Sequence, residues 1–176
     1  MRSCAYDKAF QFESLNTMTA MTDTPKAQSA LAQNDLVQTK DFGAIRCLRL
    51  ARPPVNALDL NLCRALIAAL EGAYHDGVLG VVLAGSPKIF SAGLDVPYLL
   101  SLGDDRRALL ECWQAFFGVA RLLAESRVPV VAALTGHSPA GGCVLALCCD
   151  YRVMARSVDP ARPFAIGLSE PPVGLV

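Results

Sequence analysis

The chain has 176 residues, with 16 Lys+Arg against 16 Asp+Glu and so a formal net charge of zero, which argues against a nucleic-acid binder, since those carry a basic excess or stripe. Hydrophobic residues make up 53% and charged ones 18%. The usual charged share is about 25%, so disorder throughout the chain is excluded. A charge-poor chain suits a sheet covered on both faces, or a subunit that hides surface in an oligomer.

Residues 1–36 are rich in Ser, Thr, Gln and Asn and lack apolar periodicity. They read as a disordered N-terminal extension. No apolar signal-peptide core occurs in this stretch, and Asp7, Glu13 and Asp23 weaken an organelle-targeting reading. Met18 and Met21 are alternative starts of translation. A core over 37–176 follows. Residues 44–50 alternate like a strand, and Arg52-Pro53-Pro54 stops it. Asp59 is placed to N-cap a helix over 60–74, with Leu60, Cys63, Leu66, Ile67 and Leu70 at helical spacing. Residues 79–84 are a continuous apolar run, as in a strand covered on both faces, and 85–93 form a loop. A long helix is expected over 106–125, with Leu109, Leu110, Trp113, Phe116, Phe117 and Leu122 on or near its buried side. A strand over 128–134, a turn over 135–139, a short helix over 141–147, and strands over 150–155 and 164–167 complete the pattern. This alternation predicts parallel strands joined by right-handed crossovers. The chain stops at V-G-L-V over 173–176, with no terminal helix or polar tail, and is expected to be truncated.

Residues 128–149 carry no charge and are long enough to span a bilayer. Pro129, Thr135, Gly136, His137, Ser138, Pro139, Gly141 and Gly142 break up the middle, so the stretch reads as strand, turn and buried helix, and no membrane association is expected. The seven cysteines are odd in number and form no C-x-x-C. They read as reduced, buried thiols in a cytoplasmic protein with no metal site.

Two glycine-containing turns each follow a strand and lead into a helix. They are Phe90-Ser91-Ala92-Gly93-Leu94-Asp95 and Gly136-His137-Ser138-Pro139-Ala140-Gly141-Gly142. Each presents backbone N–H groups without helical partners. Two such turns from neighbouring strands either converge on one oxygen, as an oxyanion hole does, or are ordinary connections. The second turn also resembles a G-x-S-x-G nucleophile elbow. Pro139 follows the serine and has no N–H to offer, and neither His75 nor His137 lies after Ser138, so a serine hydrolase is not supported. Cys143 beside His137 is a thiol in an apolar helix, which is usually core. Glu170 follows an apolar run and precedes two prolines. It is either a general base, desolvated toward a useful pKa, or a solvated loop glutamate. Asp95 reads as a helix cap or loop hydrogen-bonder, and Asp150 as structural.

Five segments taken together resemble the crotonase (enoyl-CoA hydratase/isomerase) superfamily. They are Arg52-Pro53-Pro54-Val55-Asn56-Ala57-Leu58, Phe90 to Asp95, Pro139-Ala140-Gly141-Gly142-Cys143, Cys149-Asp150-Tyr151-Arg152 and Gly167-Leu168-Ser169-Glu170. The look of F-S-A-G-L-D, P-A-G-G-C, C-D-Y-R and I-G-L-x-E is similar to that of the 3,2-trans-enoyl-CoA isomerases. The resemblance implies an α/β fold, a crotonase-like spiral of repeated ββα units, incomplete at the C-terminus. It implies a coenzyme A thioester as substrate with no separate cofactor, and a homo-oligomer, a trimer, in the full-length protein. The thioester oxygen would be held by the N–H groups of Leu94 and Gly141, with Ala92, Gly93 and Asp95 around it. Where the family's hydratases carry a first catalytic Glu, this chain has Val144; their second falls at Glu170. One base suits an isomerase that moves the double bond of a 3-enoyl-CoA to the 2-trans position in fatty-acid β-oxidation. The alternatives are a hydratase or another crotonase-family acyl-CoA enzyme, or a non-catalytic truncated fragment.

Overall fold

The structure, a computed structural model, describes residues 36–168. The expected N-terminal extension therefore lies outside the described residues apart from Leu36, and so does Glu170. The elements follow a ββα rhythm. Strands β1 (Val37–Phe42) and β2 (Ile45–Leu50) precede helix α1 (Leu60–His75). Strands β3 (Gly80–Ala84) and β4 (Lys88–Ile89) precede α2 (Val96–Ser101) and α3 (Arg106–Ala124). Strands β5 (Val130–Leu134) and β6 (Gly136–Pro139) precede α4 (Gly141–Leu147), and β7 (Tyr151–Met154) and β8 (Ile166–Gly167) follow.

Each unit after the first contributes one strand to each of two sheets. The larger sheet runs β1-β2-β3-β5-β7, and the smaller runs β4-β6-β8. The pairs β2–β3, β3–β5, β5–β7, β4–β6 and β6–β8 are parallel, as the strand–helix alternation predicts. The exception is β1, which sequence reading does not assign. It pairs antiparallel with β2 in the register Val37↔Leu50 to Phe42↔Ile45. Only Val37 of its six residues is buried, so the strand is held by its hairpin rather than by an apolar stripe. Gly43 supplies the positive φ of 63° that the first position of a two-residue II′ turn requires.

Helix α1 begins as expected. The Asp59 carboxylate accepts from the Leu62 N–H at 2.8 Å, satisfying one donor of the first turn. Its buried face carries Leu62, Cys63, Leu66, Leu70 and Ala73, a stripe with the helical period. Helix α3 starts at Asp105, whose carboxylate accepts from Arg107 and Ala108. Its buried face differs from the expected one. Cys112, Ala115, Phe116, Val119 and Leu123 are buried, whereas Leu110, Trp113 and Phe117 are exposed. The exposed Trp113 and Phe117 stack on each other, with centroids 5.8 Å apart. Phe116 is the one aromatic of this cluster in the core, which it shares with Leu48, Leu50, Leu62, Leu83, Phe90, Leu134 and Leu145. Full burial of such a side chain contributes roughly 1.5–3 kcal/mol each.

The charge-free stretch 128–149 forms β5, β6 and α4, and among the described residues no helix is long and apolar enough to cross a membrane. The expected turn over 135–139 is largely strand β6, and the expected loop over 85–93 contains β4. Both are short strands whose partners are distant in sequence, so no alternating pattern announces them. None of the six described cysteines is in a disulfide; five are buried and Cys148 is half-buried. Burial pushes the thiols of Cys63 and Cys149 up to about 12.

Candidate active site

The small sheet brings the two glycine-containing turns together. Strand β4 leads into the first turn, where Phe90 is fully buried and fastens the chain to the core. Phe90 N–H donates to the His137 carbonyl at 2.8 Å. The Ser91 hydroxyl donates to Asn56 O at 2.7 Å and accepts from Gly93 N–H at 3.1 Å. The Ala92 N–H donates to Val55 O at 2.9 Å. Asn56, wholly buried, donates to Phe90 O at 3.0 Å and to the Ser86 hydroxyl at 3.2 Å. Gly93 takes φ +89°, a conformation open to glycine at little cost.

Strand β6 leads into the second turn. Ala140 takes φ +49° and ψ −126°, a region that L-residues rarely occupy, and Gly141 then opens α4. The turns touch. A Cβ on Gly93 would lie 2.9 Å from the Gly141 nitrogen and 2.9 Å from Ala140 Cβ. A Cβ on Gly142 would lie 2.5 Å from Ser91 O, and one on Gly141 would lie 3.3 Å from the Leu94 nitrogen. Glycine at these positions lets two backbones approach where any side chain would hold them apart.

The direction of the Leu94 N–H follows from its peptide plane. Gly93 O accepts from Leu58 N–H at 2.7 Å, and Asp95 N–H donates to Leu58 O at 3.1 Å. A trans peptide points its C=O and N–H in opposite directions, so the Leu94 N–H points away from the Leu58 backbone. Neither the Leu94 nor the Gly141 N–H has an acceptor among the described residues. Two neighbouring backbone donors left without partners can bind an oxygen that gains negative charge.

The other predicted residues fall as follows. Asp95 caps α2 through Tyr98 N–H at 3.1 Å and pairs with Arg52 at 2.7 Å. Both roles expected for it, cap and loop hydrogen-bonder, are present. Asp150 is structural as expected, its carboxylate accepting from Val130 N–H at 2.7 Å. The Ser138 hydroxyl is buried without a partner among the described residues. His137 Nδ1 accepts instead from Ala165 N–H at 3.0 Å, so Ser138 and His137 form no nucleophile–base pair. Val144 is half-buried on α4 and packs against the main core. Sequence reading gave Arg52 no part in the site beyond a motif and a strand stop. Its partner Asp95 is 43 residues away, and no local pattern carries that pairing.

The family described as enoyl-CoA hydratase/isomerase matches residues 41–176. The chain is 39% identical over 143 residues to the mouse (Mus musculus) "Enoyl-CoA delta isomerase 1, mitochondrial", covering 80% of this chain and 47% of that protein. It is 35% identical over 130 residues to a "Probable enoyl-CoA hydratase" of Rhizobium meliloti, covering 73% of this chain and 48% of that protein. Among solved structures, human mitochondrial delta3-delta2-enoyl-CoA isomerase superposes with a TM-score of 0.72 at 34% identity, over 80% of this chain and 54% of that one. The chain spans about half the length of the curated relatives it matches.

Proposed function

This chain belongs to the enoyl-CoA hydratase/isomerase family, and on that premise we propose that it binds an acyl-CoA thioester and moves the double bond of a 3-enoyl-CoA to the 2-trans position. The observation that carries the reading is the pair of adjoining, unpartnered N–H groups of Leu94 and Gly141. They hold the thioester oxygen. Glu170 is the base: its carboxylate takes a proton from C2, the C2–H electron pair forms C1=C2, and the carbonyl pair moves onto the thioester oxygen, giving a dienolate whose C3=C4 bond shifts only when C4 is protonated. The same proton then returns at C4, leaving a C2=C3 double bond and a regenerated carboxylate. No electron leaves the substrate, so the reaction calls for no cofactor beyond the coenzyme A of the thioester. Each oxyanion donor contributes about 2.7–4 kcal/mol to the transition state in sites of this kind.

Val144 favours isomerisation over hydration. Adding water across a double bond requires a water that is held and deprotonated, which a second carboxylate on α4 would do. A valine offers no hydrogen bond and keeps water from the dienolate. The test is a rate ratio on one preparation, followed through the absorbance of the conjugated thioester. Isomerisation of 3-enoyl-CoA is expected to outrun hydration of 2-enoyl-CoA by at least about tenfold, a barrier difference of roughly 1.4 kcal/mol. Equal or faster hydration removes the one-base reading.

A further inference from the structure

We propose that Arg52 is a positioning residue for the Leu94 donor, holding the Gly93–Leu94 peptide in its oxygen-binding orientation; this rests on reading Leu94 N–H as half of the oxyanion hole. The guanidinium reaches three partners. Nη2 donates to Asp95 Oδ2 at 2.7 Å, Nη1 donates to Ala57 O at 3.1 Å, and Nε lies 3.2 Å from Asp59 Oδ2. Ala57 and Asp59 flank Leu58, and Asp95 follows Leu94. One rigid cation therefore grips both sides of the single bridge, Leu58↔Leu94, that fixes the peptide plane.

The two carboxylates make the arrangement sensitive to charge. Each uses its other oxygen as a helix cap, Asp59 on Leu62 N–H and Asp95 on Tyr98 N–H. Their side chains are only 9% and 14% exposed, so water screens them poorly. Without Arg52 two like charges face one another across the bridge. Asp95 is then driven outward and takes with it the residue before it, Leu94. Lysine cannot replace the fork: it is a point charge on a flexible stem, whereas the planar guanidinium reaches its three partners in fixed directions.

A chromophoric aryl-enoyl-CoA thioester tests this in the full chain, because its absorption moves to longer wavelength when donors polarise its carbonyl. The unsubstituted protein is expected to shift the band. Arg52→Gln should abolish the shift and lower kcat for a 3-enoyl-CoA about 10²-fold, the usual cost of a misplaced group. KM should rise far less than kcat falls, because the donor's bond to the oxygen, present in the bound thioester, strengthens as charge gathers there in the transition state. Arg52→Lys should keep part of the shift. The control is Arg46→Gln, which removes another guanidinium that bridges two carboxylates, Asp41 and Asp76, outside the site. It should lower thermal stability with the shift intact. If Arg52→Gln folds and keeps the full shift and kcat, Arg52 positions nothing. If it does not fold, Arg52→Lys decides, and an unreduced shift overturns the proposal. No shift with the unsubstituted chain overturns the oxyanion reading itself and this inference with it.

Discussion

Gly93 and Gly141 stand so close that a Cβ on Gly93 would lie 2.9 Å from the Gly141 nitrogen. Gly93 also holds φ +89°. Gly93→Ala therefore meets two penalties, a left-handed backbone and a contact with a neighbouring backbone that cannot move aside cheaply. We expect a loss of at least about 2 kcal/mol in urea unfolding, together with loss of isomerisation in the fraction that stays folded. Full activity and stability would mean that the two turns do not depend on their close approach.

Glu170→Gln keeps the size of the side chain and removes the carboxylate proposed as the base. Isomerisation should disappear while acyl-CoA binding, measured by calorimetry, stays nearly unchanged. Activity within about tenfold of the unsubstituted chain, about 1.4 kcal/mol in barrier, would take Glu170 out of the mechanism.

Ala140 holds a backbone conformation that costs an L-residue about 1–3 kcal/mol. Ala140→Gly relieves that strain but gives the unfolded chain more freedom, an opposing effect of about 0.4–1 kcal/mol. The expected net is a gain of roughly 1 kcal/mol, seen as a higher urea midpoint with an unchanged m-value. A clear destabilisation would show that contacts of the Ala140 methyl outweigh the backbone strain.

Arg46 bonds to Asp41 at 2.7 and 2.8 Å and to Asp76 at 2.7 Å, tying the first hairpin to the end of α1. Its hydrogen bonds hold both carboxyls below their ordinary value of 3.8. Depressed folded values mean that the contribution to stability is complete above the ordinary value and is lost as pH falls through the depressed ones. Arg46→Gln should therefore destabilise the protein at about pH 7 and much less at about pH 2. Unfolding curves at the two pH values check this, and a difference that grows on acidification contradicts it.

Local chemistry was enough for much of this molecule. A capping aspartate ahead of a helical apolar stripe specified α1, because both signals lie within one turn of the residues they order. Apolar runs specified β3 and β5, and their alternation with helices specified parallel pairing. The two glycine-containing turns stand out because backbone N–H groups there lack helical partners, whereas the choice of Leu94 and Gly141 within them rests on the resemblance to the crotonase superfamily. Tertiary structure decided the rest. Strand β1 exists through pairing with β2, since only Val37 among its own residues is buried. Helix α2 is too short to carry a periodic signal. On α3 the composition allows several apolar faces, and contact with α1 and α4 chose the one bearing Phe116 and left Trp113 and Phe117 outside. Arg52 was legible only as a residue before two prolines. Its reach to Asp95 is a contact across 43 residues, and only the folded chain, by packing the Leu58 segment against the first turn, brings those charges together.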